Sequence, residues 1–306
     1  MKRLWGYLSV ITATLFFGIA TPFNKILLQE MHPLAIAALT YTLAGIFLFT
    51  IRQSPLKERA LNVLNKKNNS EKFISKKDYV ILITTALCTA FIAPILYLNG
   101  LNQTTAVNAS LLLNVEVLFI ISMSLILFKE VFRKKDILGM GLLIMGAVYL
   151  ATKGEIVDIF FKESFIGSLL IIAAAFFWSV DTVLSKFLSN KRDLIWIAGL
   201  KSSIGGIFLL ITTLFLGISL KTPWEMLPLI LFVAIFSISS SFILIYFAIR
   251  ELGSTRVGAI FPLSSLFGAI FAFIILGEPL TAIELLFGLL MLLGVFILYW
   301  NPKKMS

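Results

Sequence analysis

Nine stretches of this chain contain no Asp, Glu, Lys or Arg, and they cover 4–24, 31–51, 79–115, 137–152, 164–180, 202–220, 226–249, 257–277 and 285–302. A helix needs about 20 mostly apolar residues to cross a hydrocarbon core roughly 30 Å thick. The third stretch, continued past Glu116 to Phe128, is 50 residues long, and a helix of that length would extend about 75 Å. It must fold back once, with Asn99-Gly100 through Thr105 supplying turn residues. The reading is all-α: ten transmembrane helices over 4–28, 34–52, 79–99, 105–128, 136–152, 165–188, 194–217, 225–249, 255–276 and 282–300. Barrel strands are excluded, because the run 286–298 shows no alternation of apolar and polar residues.

Composition agrees with this reading. Apolar residues make up 59% and charged residues 14%, against about 25% charged in soluble domains. Mean hydropathy is +0.98. An ordinary soluble enzyme, a disordered chain and a coiled coil are all excluded. The net charge of +10 suggests nucleic acid only if the basic residues form a solvated patch on a soluble domain. There is too little polar surface for that. The single Cys88 permits no intrachain disulfide.

The basic residues set an expected orientation. With the N-terminus in the cytoplasm, the cytoplasmic segments hold 19 Lys and Arg, the outer loops hold 3 (Lys153, Lys162 and Lys221), and 4 (Lys25, Lys186, Lys201 and Arg256) fall inside spans. This bias places both termini of a cell-membrane protein in the cytoplasm. Lys2-Arg3 ahead of an apolar run resembles a signal peptide, but the run is too long for a typical h-region and reads as a retained span. In the longest loop, 53–78, Leu56, Ala60, Leu61 and Leu64 allow either a short amphipathic turn on the membrane or a solvated linker.

The second half of the chain echoes the first. A shift of 161 carries Gly6, Ala13, Phe16, Thr21 and Lys25 onto Gly167, Ala174, Phe177, Thr182 and Lys186. It also carries Gly45-Ile46-Phe47-Leu48 onto Gly206-Ile207-Phe208-Leu209. A shift of 148 carries Phe128-Lys129-Glu130 onto Leu276-Gly277-Glu278, and Gly146 onto Gly294. Two five-helix units follow, over 1–152 and 165–300. Five is odd, so the second unit enters the membrane from the opposite side. Many secondary transporters are built as such inverted repeats, with the solute site near the midplane.

Several motifs carry a resemblance to a known family. Phe17-Gly18-Ile19-Ala20-Thr21-Pro22-Phe23-Asn24-Lys25 resembles the first-helix pattern WGSxFxxxK of the EamA family, in the drug/metabolite transporter superfamily. Phe17 stands where that pattern has Trp; the second copy reads Phe177-Trp178-Ser179. Ala109-Ser110-Leu111-Leu112-Leu113-Asn114-Val115-Glu116 is similar to ASLLLxLEP, with Val117 in place of Pro, and Leu276-Gly277-Glu278-Pro279-Leu280 is similar to LGExL. The resemblance implies a ten-helix carrier of small polar metabolites, with spans 1–4 and 6–9 around a central cavity and spans 5 and 10 peripheral.

Charges at membrane depth are expensive, and most are functional or paired. Glu116 lies midway along span 4, where it can serve as a substrate-amine ligand, a proton-coupling carboxylate or a hydrogen-bonded structural group. Asp181 and Lys201 lie at similar depth on consecutive spans, seven residues from the inner ends, or about 10 Å. They suit an ion pair, a gate or a substrate contact. Lys25 and Lys186 suit either snorkelling anchors or gating contacts. Asn24, Tyr41, Tyr97, Asn99, Asn114, Trp178, Tyr246 and Ser264 are candidates to shape a cavity, while Trp5, Trp196, Trp224 and Trp300 read as interface anchors.

The expected partners are a small-molecule solute, a coupling proton and the lipid bilayer, with no nucleic acid. No residue set points to a metal or other cofactor, and no P-loop is present. The expected function is secondary active transport by alternating access. The competing classes are a non-transporting scaffold or receptor, a channel, and an intramembrane enzyme. An enzyme would need a His, Asp or Glu cluster, and the one His, His32, sits in a loop beside Pro33.

Overall fold

The structure is a computed structural model that describes residues 2–55, 75–127, 134–153, 163–185, 187–188, 194–252 and 254–299. Lys186, Glu130, Trp300 and the proposed turn at Leu56–Leu64 lie outside these residues. All described elements are helical, and ten helices are long and apolar enough to cross a membrane. They are α1 (Leu4–Glu30), α2 (Pro33–Gln53), α3 (Lys76–Gln103), α4 (Ala106–Ser124) and α5 (Lys134–Thr152). The others are α6 (Glu163–Ser185), α7 (Ile195–Phe215), α8 (Trp224–Ile249), α9 (Arg256–Leu276) and α10 (Ala282–Tyr299). The chain is therefore a polytopic membrane protein. Below, the first face is the one at which α1 begins and the second face is the one at which α1 ends.

Local chemistry sets the helix ends. Pro33 occupies the first turn of α2, and His32 Nδ1 accepts the Leu34 N–H at 3.2 Å, so the lone histidine is an N-cap. At the start of α10, Thr281 N–H donates to Glu284 at 3.0 Å and Glu284 N–H donates to the Thr281 hydroxyl at 3.2 Å. This is a capping box. Gly277 ends α9 with φ +67°, in the left-handed region that glycine adopts without strain.

One expected boundary moves. Asn99-Gly100 is not the turn after α3: the helix runs on to Gln103, and the reversal is made at Thr104 and Thr105. Asn99 Nδ2 donates back to the Ile95 carbonyl at 2.7 Å. Gly100 is there for packing. A Cβ at Gly100 would lie 2.7 Å from the Gly167 carbonyl oxygen, and one at Gly167 would lie 2.8 Å from that of Gly100. In lipid, small residues let helix backbones approach this closely. Gly100→Leu should destabilise the protein by about 1–3 kcal/mol through overpacking, read as a lower Tm in detergent. Gly141→Leu, with nothing within 4 Å of its Cβ position, should leave the Tm near wild type. Equal losses in the two variants would show that the α3–α6 contact is not the cause.

The most extensive contacts join α2 to α7, α5 to α10, α3 to α6, α1 to α8 and α1 to α9, with α4 against α6 and α9. In the α5–α10 pair Tyr149 stacks on Phe287 at 4.1 Å. Four helices are irregular. α3 holds a π-helical segment at Cys88–Ile92 and α8 one at Val233–Ser240. α4 breaks at Leu113 and Asn114, between Ala106–Leu112 and Val115–Leu127. α9 breaks at Phe261 and Pro262, between Ser254–Ile260 and Leu263–Leu276. Pro262 has no N–H for the helical ladder. Around the α4 break, bonds from Leu113 N to Ser110 O and from Val117 N to Asn114 O tighten to three-residue spacing.

Candidate functional site

A π-helical turn displaces backbone bonds, and the displaced carbonyls need other donors. In α8 the sequence supplies serines. Ser239, Ser240 and Ser241 hydroxyls donate to the carbonyls five residues back, at 2.8, 2.7 and 3.0 Å. In α3 the partner comes from another helix: Trp178 Nε1 of α6 donates to the Thr89 carbonyl at 3.2 Å. Trp178 is thereby fixed with its ring 5.3 Å from that of Tyr97.

A narrow hollow opens beside this turn. It is lined by Tyr41 from α2, Thr89 from α3, Ala198, Lys201 and Ser202 from α7 and Phe242 and Tyr246 from α8, and the surface these residues present to it is mostly apolar. It has room for about one water molecule. Three sequence candidates (Tyr41, Lys201 and Tyr246) therefore meet at one place. Thr89, Ser202 and Phe242 were not foreseen. Ser202 adjoins Lys201 in sequence, but Thr89 enters the wall from the π-helical turn, which leaves no composition signal.

Lys201 is buried and ion-paired with Asp181 of α6. Its ammonium also donates to Ser185 Oγ at 3.0 Å, and Ser185 donates to Asp181 Oδ1 at 2.9 Å. Asp181 and Ser185 are four residues apart, hence on one face of α6. The three groups form a closed polar triangle at the wall of the hollow. The ion pair, one of the arrangements their depth allowed, is present, and Asp181 stands outside the lining.

Glu116 lies in the first turn of the second segment of α4 and accepts from the Thr182 hydroxyl of α6 at 3.2 Å. It does not line the hollow. Asn114, at the α4 break, is buried, and neither its Oδ1 nor its Nδ2 finds a partner among the described residues. Asn24 is buried, Tyr97 donates to Thr21 at 2.9 Å, and Asn99 is spent on its own helix. Ser264 lies in the first turn after the α9 break. None of these lines the hollow.

The second face is tied by polar contacts. Lys25 Nζ donates to the Leu101 and Thr104 carbonyls, both at 2.7 Å, at the C-terminal end of α3. Glu278 accepts the Val107 N–H at the start of α4, at 2.9 Å. Asn108 donates to Ser168 and Thr104, both at 3.1 Å. Cations suit helix C-termini and anions suit N-termini, so Lys25 and Glu278 each sit at the end that favours its charge. Lys25→Met should cost about 1.5–3 kcal/mol, the worth of bonds from a charged donor, and Lys25→Arg should recover most of it. Thermal unfolding of the two variants checks this; a Met variant as stable as wild type would make Lys25 a surface anchor only.

Among the described residues no three His, Cys, Asp or Glu side chains gather to hold a metal ion. The sequence model of the EamA-like transporter family matches residues 4–152 and 165–300. An "Uncharacterized transporter" of Methanothermobacter thermautotrophicus is 60% identical over 303 residues, covering 99% of this chain and 88% of its own length. "Uncharacterized transporter YyaM" of Bacillus subtilis is 24% identical, with 100% of this chain and 99% of its own covered. A solved crystal structure, 17% identical, covers 97% of both chains with a TM-score of 0.66, and this likeness shows the fold.

Proposed function

The chain belongs to the EamA-like transporter family, a family of transporters and not of enzymes, and from that premise we propose that it is a secondary active carrier of a small polar or amino-acid-like solute, working by alternating access between two inverted five-helix units, 1–152 and 165–300. The observation that carries this reading is where the helices break. The α4 break at Leu113-Asn114 and the α9 break at Phe261-Pro262 differ by 148 positions, the shift that relates the two halves in sequence. The π-helical segment Cys88–Ile92, moved by the same 148, falls on 236–240, inside Val233–Ser240. Interrupted helices at corresponding positions of two repeats point to a transporter's solute site.

Paired contacts support a two-fold relation. A Cβ on Gly167 would meet Gln103, and one on Gly6 would meet Glu251; the shifts 161 and 148 carry one pair onto the other. Gly45 likewise abuts Ser203 while Gly206 abuts Thr42. The helix contacts α3–α6 and α1–α8, and α4–α6 and α1–α9, are related by the same exchange of halves. An odd number of spans per unit then makes the units antiparallel. The excess of basic residues supports both termini in the cytoplasm of a cell-membrane protein.

In this reading the second face is sealed by Lys25, Glu278 and Asn108, and the hollow occupies the half of the bundle nearer the first face. Glu116, whose bond to Thr182 crosses from α4 to α6 beside the α4 break, is the coupling carboxylate. Reconstituted flux tests the function: in proteoliposomes loaded with unlabelled amino acids, nucleosides, sugars or polyamines, labelled counterparts should exchange saturably. No flux with any panel member would favour the scaffold.

A further inference from the structure

We propose that Glu116 and Thr182 bind the primary ammonium group of a solute, in a cleft that opens between α4 and α6 on the first face. This rests on the carrier reading and names its substrate class. The cleft shows itself on α6. Ser168, Ile171 and Ala175 follow one another at helical spacing on the side turned into the protein, and all three are fully buried. Thr182, two turns beyond Ala175, continues that stripe and yet is exposed. The outer side of α6 is a different one, marked by the exposed Ile166, Leu169 and Phe176. Water therefore reaches Thr182 from inside the bundle, one turn before α6 ends at Ser185. Glu116, bonded to Thr182 at 3.2 Å, is only half-buried.

The charge in the cleft selects the ligand. Asp181 and Lys201 neutralise each other as a pair. Glu116 has no cation within ion-pair distance among the described residues, and a charge that does act on it is that of a second carboxylate, Asp181. An arriving anion would meet two carboxylates, and a neutral hydroxyl would leave Glu116 uncompensated. A metal ion needs several ligands, and among the described residues no third His, Cys, Asp or Glu joins these two. A primary ammonium brings three N–H donors. Thr182 spends its one hydroxyl hydrogen on Glu116, and its oxygen still has lone pairs with which to accept. The hydroxyl oxygen and the carboxylate, 3.2 Å apart, can each take one N–H of the same ammonium, whereas a quaternary ammonium has none to give. A proton competes for the same carboxylate, so solute binding and the coupling role fall on one group.

The test is thermal unfolding of the purified full-length protein with ethanolamine, putrescine and alaninamide. Each is set against the twin that has hydroxyl in place of ammonium: ethylene glycol, butanediol and lactamide. Choline serves as the quaternary twin of ethanolamine, and lactate as the anion. At several times its Kd, at least one amine should raise Tm by about 2–4 °C, while its hydroxyl twin, choline and lactate should not. Glu116→Gln should lose that rise. Thr182→Val, which keeps the carboxylate and removes the second acceptor, should weaken amine binding about tenfold, the worth of one hydrogen bond to a charged group. No rise with any of the three amines overturns the proposal. So does a hydroxyl twin or choline matching the amine, a larger rise with lactate, a rise that survives in the Gln variant, or amine binding untouched in the Val variant. Flux separates this proposal from the carrier reading. Amine binding that needs Glu116, without flux of any solute, would sink the carrier and leave the site. Saturable flux of a sugar or nucleoside, unchanged in Glu116→Gln and with no amine bound, would keep the carrier and sink the site.

Discussion

Glu116→Gln should insert, fold and reach wild-type Tm, yet reduce solute exchange to that of protein-free liposomes. The variant keeps the shape of the side chain and a carbonyl oxygen that accepts from Thr182, so the contact between α4 and α6 survives. What it removes is a charge and a site for a proton. Two carboxylates lie at membrane depth by sequence, Glu116 and Asp181. Asp181 is held by Lys201 and Ser185. Glu116 has one hydroxyl donor and no cation within ion-pair distance among the described residues. A carboxylate can accept up to about four hydrogen bonds, so most of its capacity is open to a proton or a solute group. It also sits in the first turn after a break, where relative movement of the two α4 segments would make or break its bond to Thr182. Paired measurements of Tm and exchange decide the matter. Full exchange by the Gln variant over about pH 5–8 would remove Glu116 from the mechanism.

The ten spans were legible because the bilayer imposes a length and an apolar content that local sequence must meet. Boundaries were harder. Asn99-Gly100 looks like a turn, but its glycine serves a close approach to Gly167 on a helix 67 positions away in sequence, which local reading cannot see. The breaks show the same limit. Pro262 sits at the α9 interruption, yet Pro22 lies within an unbroken α1, and the counterpart at the α4 break is Asn114, whose weak helix preference alone does not mark an interruption. The two π-helical segments left no trace beyond the serines of α8. Of the site, the charges were readable, since an ionisable residue in an apolar run stands out. Equal depth allowed Asp181 and Lys201 to pair, beside a gate or a substrate contact, and did not choose among the three. That Tyr41 and Tyr246 join them while Asn24, Asn99 and Tyr97 do not depends on the rotation of each helix about its axis, and in nearly all-apolar helices the periodicity that would reveal it is weak.

Lys201→Met alone should be the most destabilising of the substitutions considered, by about 3–5 kcal/mol, because it strands the buried Asp181 charge. Lys201→Met/Asp181→Asn should restore most of that loss. The argument turns on desolvation: a buried pair roughly recovers in mutual attraction what its two ions lost in leaving water, so deleting both changes little and deleting one changes much. Ser185 cannot substitute for the lysine, since a hydroxyl offers a single donor and no charge. The effect is confined to one half of the protein. At the positions that repeat symmetry assigns to Asp181 and Lys201 stand Ala20 and Thr40, and the Thr40 hydroxyl is bonded to the Ile36 carbonyl of its own helix at 2.8 Å. Two inverted units with identical interiors would give two end states of equal energy. In the alternating-access reading proposed above, one half built around a buried ion pair and the other around an alanine and a self-satisfied threonine would give end states of unequal energy. Denaturation of both variants, followed by near-ultraviolet ellipticity from the five tryptophans, measures the difference. A single variant as stable as the double one would mean that water already reaches Asp181, and the pair would then be a solvated contact with no hold on the conformational balance.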